Sequence, residues 1–172
     1  MPRISPQILA QAITLASKLN LQDKEKICDE IFKTQPHLLG SVLALHRLSV
    51  SLEKIDFALN ILVVCFLAMK ASGHTWHLVS QDEQEQQMAR LAGSIKFGAA
   101  LSEHLQSLAS QQYIEAHDEK YLLAFVINES TSWLKMIQAV ESDKYVLLAV
   151  INIVNCIAIR PAQNTQKKRM SR

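Results

Sequence analysis

SLEKIDFALNILVVCFLAMKAS, residues 51 to 72 and followed by Gly73, decides how the rest of the chain is read. Leu52, Ile55, Leu59, Leu62, Phe66 and Met69 alternate spacings of three and four, which places all of them on one stripe of a helix. Glu53, Lys54, Asp56 and Asn60 give the first half a polar face. From Ile61 to Met69 no polar side chain interrupts any face, and a helix apolar all round is buried all round. The stretch therefore predicts a helix whose first half lies near the surface and whose second half is enclosed by others.

Outside it, the prolines lie at 2, 6, 36 and 161, so every backbone donor from His37 to Arg160 is intact, as in helical chains. Ser5-Pro6 is an N-cap followed by a proline in the first turn. Asn20 precedes an acidic start at Asp23 and Glu25, and Gln35-Pro36 ends one helix and begins another. Ser80 to Glu83 is a capping box, opening a helix with apolar positions at Met88, Leu91, Ile95, Leu101, Leu105 and Leu108. Asp118 and Ser142 read as starts of the last helices. The expected fold is an all-α bundle of about six or seven helices around 51–72, one domain over residues 1–160, with a disordered basic tail over 161–172. The alternative is α+β, with short strands near 121–127 and 145–151, because these apolar runs are rich in β-branched and aromatic residues. Alanine and leucine inside both runs favour helix.

The 172 residues are 49% apolar and carry a formal charge of +2. Arg160, Lys167, Lys168, Arg169 and Arg172 lie in an acid-free end, which leaves residues 1–159 with 13 basic and 16 acidic side chains. An acidic body is a poor electrostatic footprint for nucleic acid, so no nucleic-acid partner is expected. The apolar stretches 57–69 and 145–159 are shorter than the roughly 20 residues of a membrane span, and no membrane partner is expected. Cys28, Cys65 and Cys156 sit apart in apolar helical settings and read as reduced thiols, and the start lacks the pattern of a signal peptide. Both features predict a cytoplasmic protein.

Candidate chemistry is sparse. His74, Trp76 and His77 fall together in the loop Gly73–Val79 and are the candidate ligand loop. Two histidines supply too few ligands for a metal site, which needs three or four, so no metal or cofactor is assigned. His117-Asp118 resembles the dipeptide of the HD phosphohydrolases, with His74 or His77 and Asp143 as nominal further ligands. Glu115 and Glu119 flank it at an apparent helix start, a setting unlike the apolar helix that normally carries that pair. No nucleophile motif, phosphate-cradling loop or paired buried carboxylate stands out, so catalysis is not expected and no catalytic residue is assigned. Asn60, Asn128 and Asn152 end apolar runs and are candidates for buried polar or interface positions; Asn155 shares a helix with the last.

The composition favours a helical protein–protein interaction module: a regulator, adaptor or inhibitor without catalytic activity. A homodimer is expected because two nearly all-apolar helices, 51–72 and 143–159, exceed what one small bundle buries. A small-molecule- or metal-binding bundle is the second reading, with the His74–His77 loop covering a small-residue surface near Gly93 and Gly98. Helix-turn-helix DNA binding over 44–55 is the third; Glu53 and Asp56 repel phosphate, and Ser49 replaces the usual turn glycine.

Overall fold

Local capping chemistry sets most helix starts. The computed structural model describes residues 1–99 and 103–160, with side chains except at 97–99 and 103–106. Ser5 Oγ accepts from the Ile8 amide at 3.3 Å ahead of α1 (Pro6–Ser17), and Asn20 Oδ1 accepts from the Asp23 amide at 2.9 Å ahead of α2 (Leu21–Thr34). Pro36 opens α3 (Pro36–Leu43), which tightens into a 3-10 turn over Ala44–Leu48. Ser49, at φ 62°, occupies the left-handed conformation that stops this turn and redirects the chain into α4 (Leu52–Ala71). Gly73, at φ 68°, ends α4 in the same conformation, where glycine carries no Cβ penalty. The capping box forms: Ser80 Oγ accepts from the Glu83 amide at 3.2 Å and Glu83 Oε2 from the Ser80 amide at 2.8 Å, opening α5 (Gln81–Ala99). Then come α6 (Glu103–Ala116), α7 (Lys120–Met136) and α8 (Asp143–Ile157).

The protein is all-α, and no strand occurs among the described residues. Residues 121–127 and 145–151, weighed as strands, lie inside α7 and α8. Their apolar residues pack as helix ridges, as Leu122 and Val126, and Val146 and Val150, are buried four residues apart on one face of each helix. Eight α-helices are described, against the six or seven expected. Within the stretch from Gln81 to Ala116, α5 and α6 are described on either side of residues 100–102. The apolar stripe expected there is incomplete: Leu91 is buried and Met88 half-buried, but Ile95 and Leu108 are exposed. Leu101 and the tail 161–172 lie outside the described residues, as do the side-chain surroundings of Gly98 and Leu105.

In α4, Leu52, Glu53 and Asp56 are exposed, whereas every residue from Ile61 to Met69 is buried. The helix packs against α1, α2, α3 and α8, and α8 packs in turn against α3, α5 and α7. Ile153, Val154, Cys156 and Ile157 are thereby covered, so both apolar helices bury their surfaces within one chain. The reason given for a dimer, apolar helices with too little cover, therefore does not hold in this fold.

Burial in hydrocarbon pushes the Cys65 and Cys156 thiols up to about 12, with a small further push on Cys156 from Glu83. Both are protonated packing groups without thiolate reactivity at neutral pH.

One end of the bundle is fixed by two contacts. Phe57 of α4 stacks on Trp133 of α7 at 4.5 Å and 4°. Nearby, Lys54 donates to the buried Asp143 at the start of α8. Burial pushes the Asp143 carboxyl up, but the Lys54 ammonium and the Val140 amide, which donates to it at 2.8 Å, outweigh this and hold it below its ordinary value. Asp143, not Ser142, thus supplies the side chain that orders the entry to α8.

Candidate functional site

The loop Gly73–Val79 is held by its neighbours rather than left open. Trp76 Nε1 donates to the Met69 carbonyl at 2.8 Å, satisfying an acceptor in the last turn of α4, and to Ser72 Oγ at 3.2 Å. The Arg3 guanidinium lies 3.9 Å above the Trp76 ring, a cation–π contact. His77 Nε2 lies 2.8 and 3.0 Å from the two carboxylate oxygens of Glu83. Glu83 is held below its ordinary value first by the Ser80 amide, then by His77 against a modest burial effect. Gln35 is buried and clasps the loop, its Nε2 donating to the His77 carbonyl at 2.7 Å and its Oε1 accepting from the Val79 amide at 3.1 Å. His74 is exposed. His74, Trp76 and His77 therefore do not converge: one faces solvent, one ends a helix and one completes a cap.

Gly93 is exposed, and a Cβ placed on it meets nothing within 4 Å. No neighbouring helix uses the close approach that its small side chain permits. Among the described residues no group of three or more His, Cys, Asp or Glu is placed to hold a metal ion. Asp143, a nominal ligand of the HD-type reading, is engaged by Lys54 instead.

The asparagines differ from one another. Asn60 is half-buried, accepting from Lys24 Nζ at 2.8 Å and donating to Asp56 at 3.1 Å. Asn128 is exposed. Asn152 is buried and donates to the Gln84 carbonyl at 3.2 Å, while its Oδ1 has no partner among the described residues.

Two features went unmarked by the sequence reading. At the end of the bundle fixed by Lys54–Asp143 and Phe57–Trp133, four large apolar side chains face solvent. Leu52 is 78% exposed, Met136 77%, Val140 53% and Leu48 46%. Leu52 lies two residues before Lys54, Met136 one turn beyond Trp133, and Val140 in the loop bonded to Asp143. Arg47, Glu53, Lys135 and Glu141, exposed charges of both signs, stand beside them in sequence.

The second feature is a cleft of about 440 Å³ between α5, the end of α6 and the end of α8. Its polar lining begins with His117, whose Nδ1 accepts from the Glu119 amide at 3.0 Å. The ring proton must then sit on Nε2, which donates to Asn155 Oδ1 at 3.2 Å. Tyr113 donates to the same oxygen at 3.0 Å. With Oδ1 receiving both donors, the Asn155 Nδ2 is left without a partner among the described residues, on a side chain that lines the cleft. Desolvation lowers the His117 pKa, the Asn155 contact and nearby carboxylates opposing it only in part, so the ring is neutral at pH 7.

A pH dependence follows from that shift. Because the folded His117 binds its proton less readily than the unfolded one, its contribution is complete above about pH 6.5 and falls as pH drops through the folded value. Glu83 and Asp143 are also depressed, but their losses begin below ordinary values of 4.5 and 3.8. Urea unfolding of the native chain should show lower stability at pH 5.5 than at pH 7.5, and His117→Gln should flatten that slope. An equal slope in the variant would remove His117 as its source.

Asp118, expected to cap α7, does not: α7 begins at Lys120 without a side-chain cap. Asp118 pairs with Arg160 across 3.4 Å at the cleft rim. The buried acid is its neighbour Glu119, which is wholly inaccessible. Its Oε1 accepts from the Arg3 amide at 3.2 Å and Arg3 Nε at 2.8 Å, and its Oε2 accepts from the Ile4 amide at 3.1 Å. Arg3 also donates to the Ile157 carbonyl. One arginine thus joins the first residues, the α6–α7 turn, the end of α8 and the Trp76 loop.

No helix of the described residues is long and apolar enough to cross a membrane. The chain matches no protein-family model, and comparison with curated proteins and with solved structures yields no significant match.

Proposed function

We propose that this chain is a helical interaction module that works by binding protein, and that its first partner is a second copy of itself. The observation that carries this is a set of four exposed apolar side chains, Leu48, Leu52, Met136 and Val140, on the segments that flank the Lys54–Asp143 and Phe57–Trp133 contacts. Single apolar residues are ordinary on a surface, but several on neighbouring segments, with charges beside them in sequence, favour association. The adjoining charges have both signs, with Arg47 and Lys135 against Glu53 and Glu141. A surface of mixed sign is suited to a twofold interface, in which each copy offers the same patch. The rigid support beneath it, Phe57 on Trp133 and Lys54 on Asp143, lowers the ordering cost of docking.

Light scattering after size exclusion, run across the micromolar range, should give a mass that rises from one chain to two. Leu52→Glu combined with Met136→Glu places four carboxylates in the symmetric contact and should weaken it about a hundredfold, roughly 3 kcal/mol. Both positions are exposed, so the melting temperature of the dilute chain should not change. A single-chain mass at every concentration, or a dimer unaffected by the double substitution, would reject this surface.

A further inference from the structure

We propose that the cleft between α5, α6 and α8 is a binding site for a small organic carboxylate carrying a second oxygen acceptor, as in a short hydroxy acid. This goes beyond the protein-binding reading and uses a different part of the surface. Three independent features of the cleft point to that chemistry.

The first is charge. Arg90 lines the cleft and has no ion-pair partner among the described residues. Asp118, the carboxylate in the lining, is matched to Arg160, which lies outside it. Among the described residues, Arg90 is thus a cation of the cleft without a carboxylate partner. A guanidinium presents parallel N–H donors that fit the two oxygens of a carboxylate.

The second is the Asn155 amide. This residue is only 8% exposed, yet it lines the cleft, and its Oδ1 is committed to Tyr113 and His117. The His117 tautomer, set by the Glu119 amide, makes that oxygen an acceptor. Turning the amide over would bring two N–H donors face to face, so Nδ2 stays available. Nδ2 is not sealed from solvent, so water in the cleft can accept from it. A ligand oxygen would do the same, while the Arg90 fork holds the acid group. Both imidazole nitrogens are occupied, so His117 acts here as a positioning residue that fixes the amide.

The third is the apolar part of the wall. Leu91, Ala116, Ala158 and Ile159 line the same cleft and offer the carbon skeleton of a ligand a surface without polar demand. A volume of about 440 Å³ accommodates such a molecule and falls in the range of ordinary small-ligand sites. No reaction is implied; the site binds.

The test is a ¹H–¹⁵N NMR titration of the full chain with 3-hydroxybutyrate, and in parallel with butyrate and 1,3-butanediol. Saturable shifts are expected at the Asn155 side-chain amide and at the Ala158 and Ile159 backbone, with 3-hydroxybutyrate binding tighter than either analogue. Arg90 is exposed, so Arg90→Gln should leave the spectrum of the free chain intact and weaken 3-hydroxybutyrate at least tenfold. Arg90→Lys, which keeps the charge but loses the fork, should fall between. His117→Gln should reduce the preference for 3-hydroxybutyrate over butyrate, because Asn155 would no longer be held. Absence of saturable shifts at Asn155 would overturn the proposal, as would saturation unchanged in Arg90→Gln. Equal binding of the acid and the diol would overturn the carboxylate assignment.

Discussion

Glu119→Ala should destabilise the protein by about 3–5 kcal/mol, measured as the change in unfolding free energy from urea titration. The carboxylate is inaccessible to solvent and receives the Arg3 amide, Arg3 Nε and the Ile4 amide. Its removal leaves the buried Ile4 amide, the part-buried Arg3 amide and a mostly buried guanidinium without their acceptor. The damage should spread, because Arg3 also holds the Ile157 carbonyl and lies over Trp76. Weaker protection of the Trp76 indole proton in hydrogen exchange would report that spread. Glu119→Gln should recover only part of the loss, since an amide NH₂ in place of one oxygen faces an N–H donor. Asp118→Ala, one residue earlier but at the exposed rim, should stay within about 0.5 kcal/mol of the native chain. A loss below about 1 kcal/mol for Glu119→Ala would mean that the buried pair does not form in solution.

The second large effect separates the two halves of α4. Leu62 is 1% exposed among Ile61, Val63 and Phe66, and Leu62→Ala should cost about 2–5 kcal/mol through lost burial and the cavity left behind. Leu52 stands ten residues earlier on the same stripe and is 78% exposed. Leu52→Ala should change stability by no more than about 0.5 kcal/mol, measured on dilute protein so that association does not contribute. Similar losses at both positions would contradict the division of α4 into a surface half and an enclosed half.

That division was legible because it depends on local composition. Polar residues at 53, 54, 56 and 60 followed by nine residues without one leave few arrangements, and solvation selects among them. Helix starts at Ser5, Asn20 and Ser80 were legible for a related reason, since a cap bonds to a backbone amide three residues away. Where the partner is distant, local pattern failed. Asp118 has the chemistry of a cap and Glu119 reads as a solvated flank, yet Glu119 is the buried residue, because Arg3, 116 positions away, arrives above it. Likewise the loop around Trp76 gave no local sign that Arg3 would lie over the indole, or Gln35 and Glu83 against His77.

The clearest contrast lies in the two similar runs KYLLAFVIN (120–128) and KYVLLAVIN (144–152). Each is helical and each ends in asparagine, but Asn128 is exposed and Asn152 is buried. Nothing in either nonapeptide sets them apart. The difference is that α8 is packed against α3, α4, α5 and α7, which surround it, whereas α7 packs against α1, α6, α8 and, through Trp133, the start of α4, and keeps an open face. The sequence alone determined that this protein is helical, where many helices begin and which segment has no side willing to face water, because those properties follow from backbone capping and from hydration of neighbouring side chains. Only tertiary packing decided which polar groups were buried, which apolar ones stayed outside and that Tyr113, His117, Asn155 and Arg90 share one cleft. Those outcomes depend on which distant elements meet, and the energy of each contact exists only once they have met.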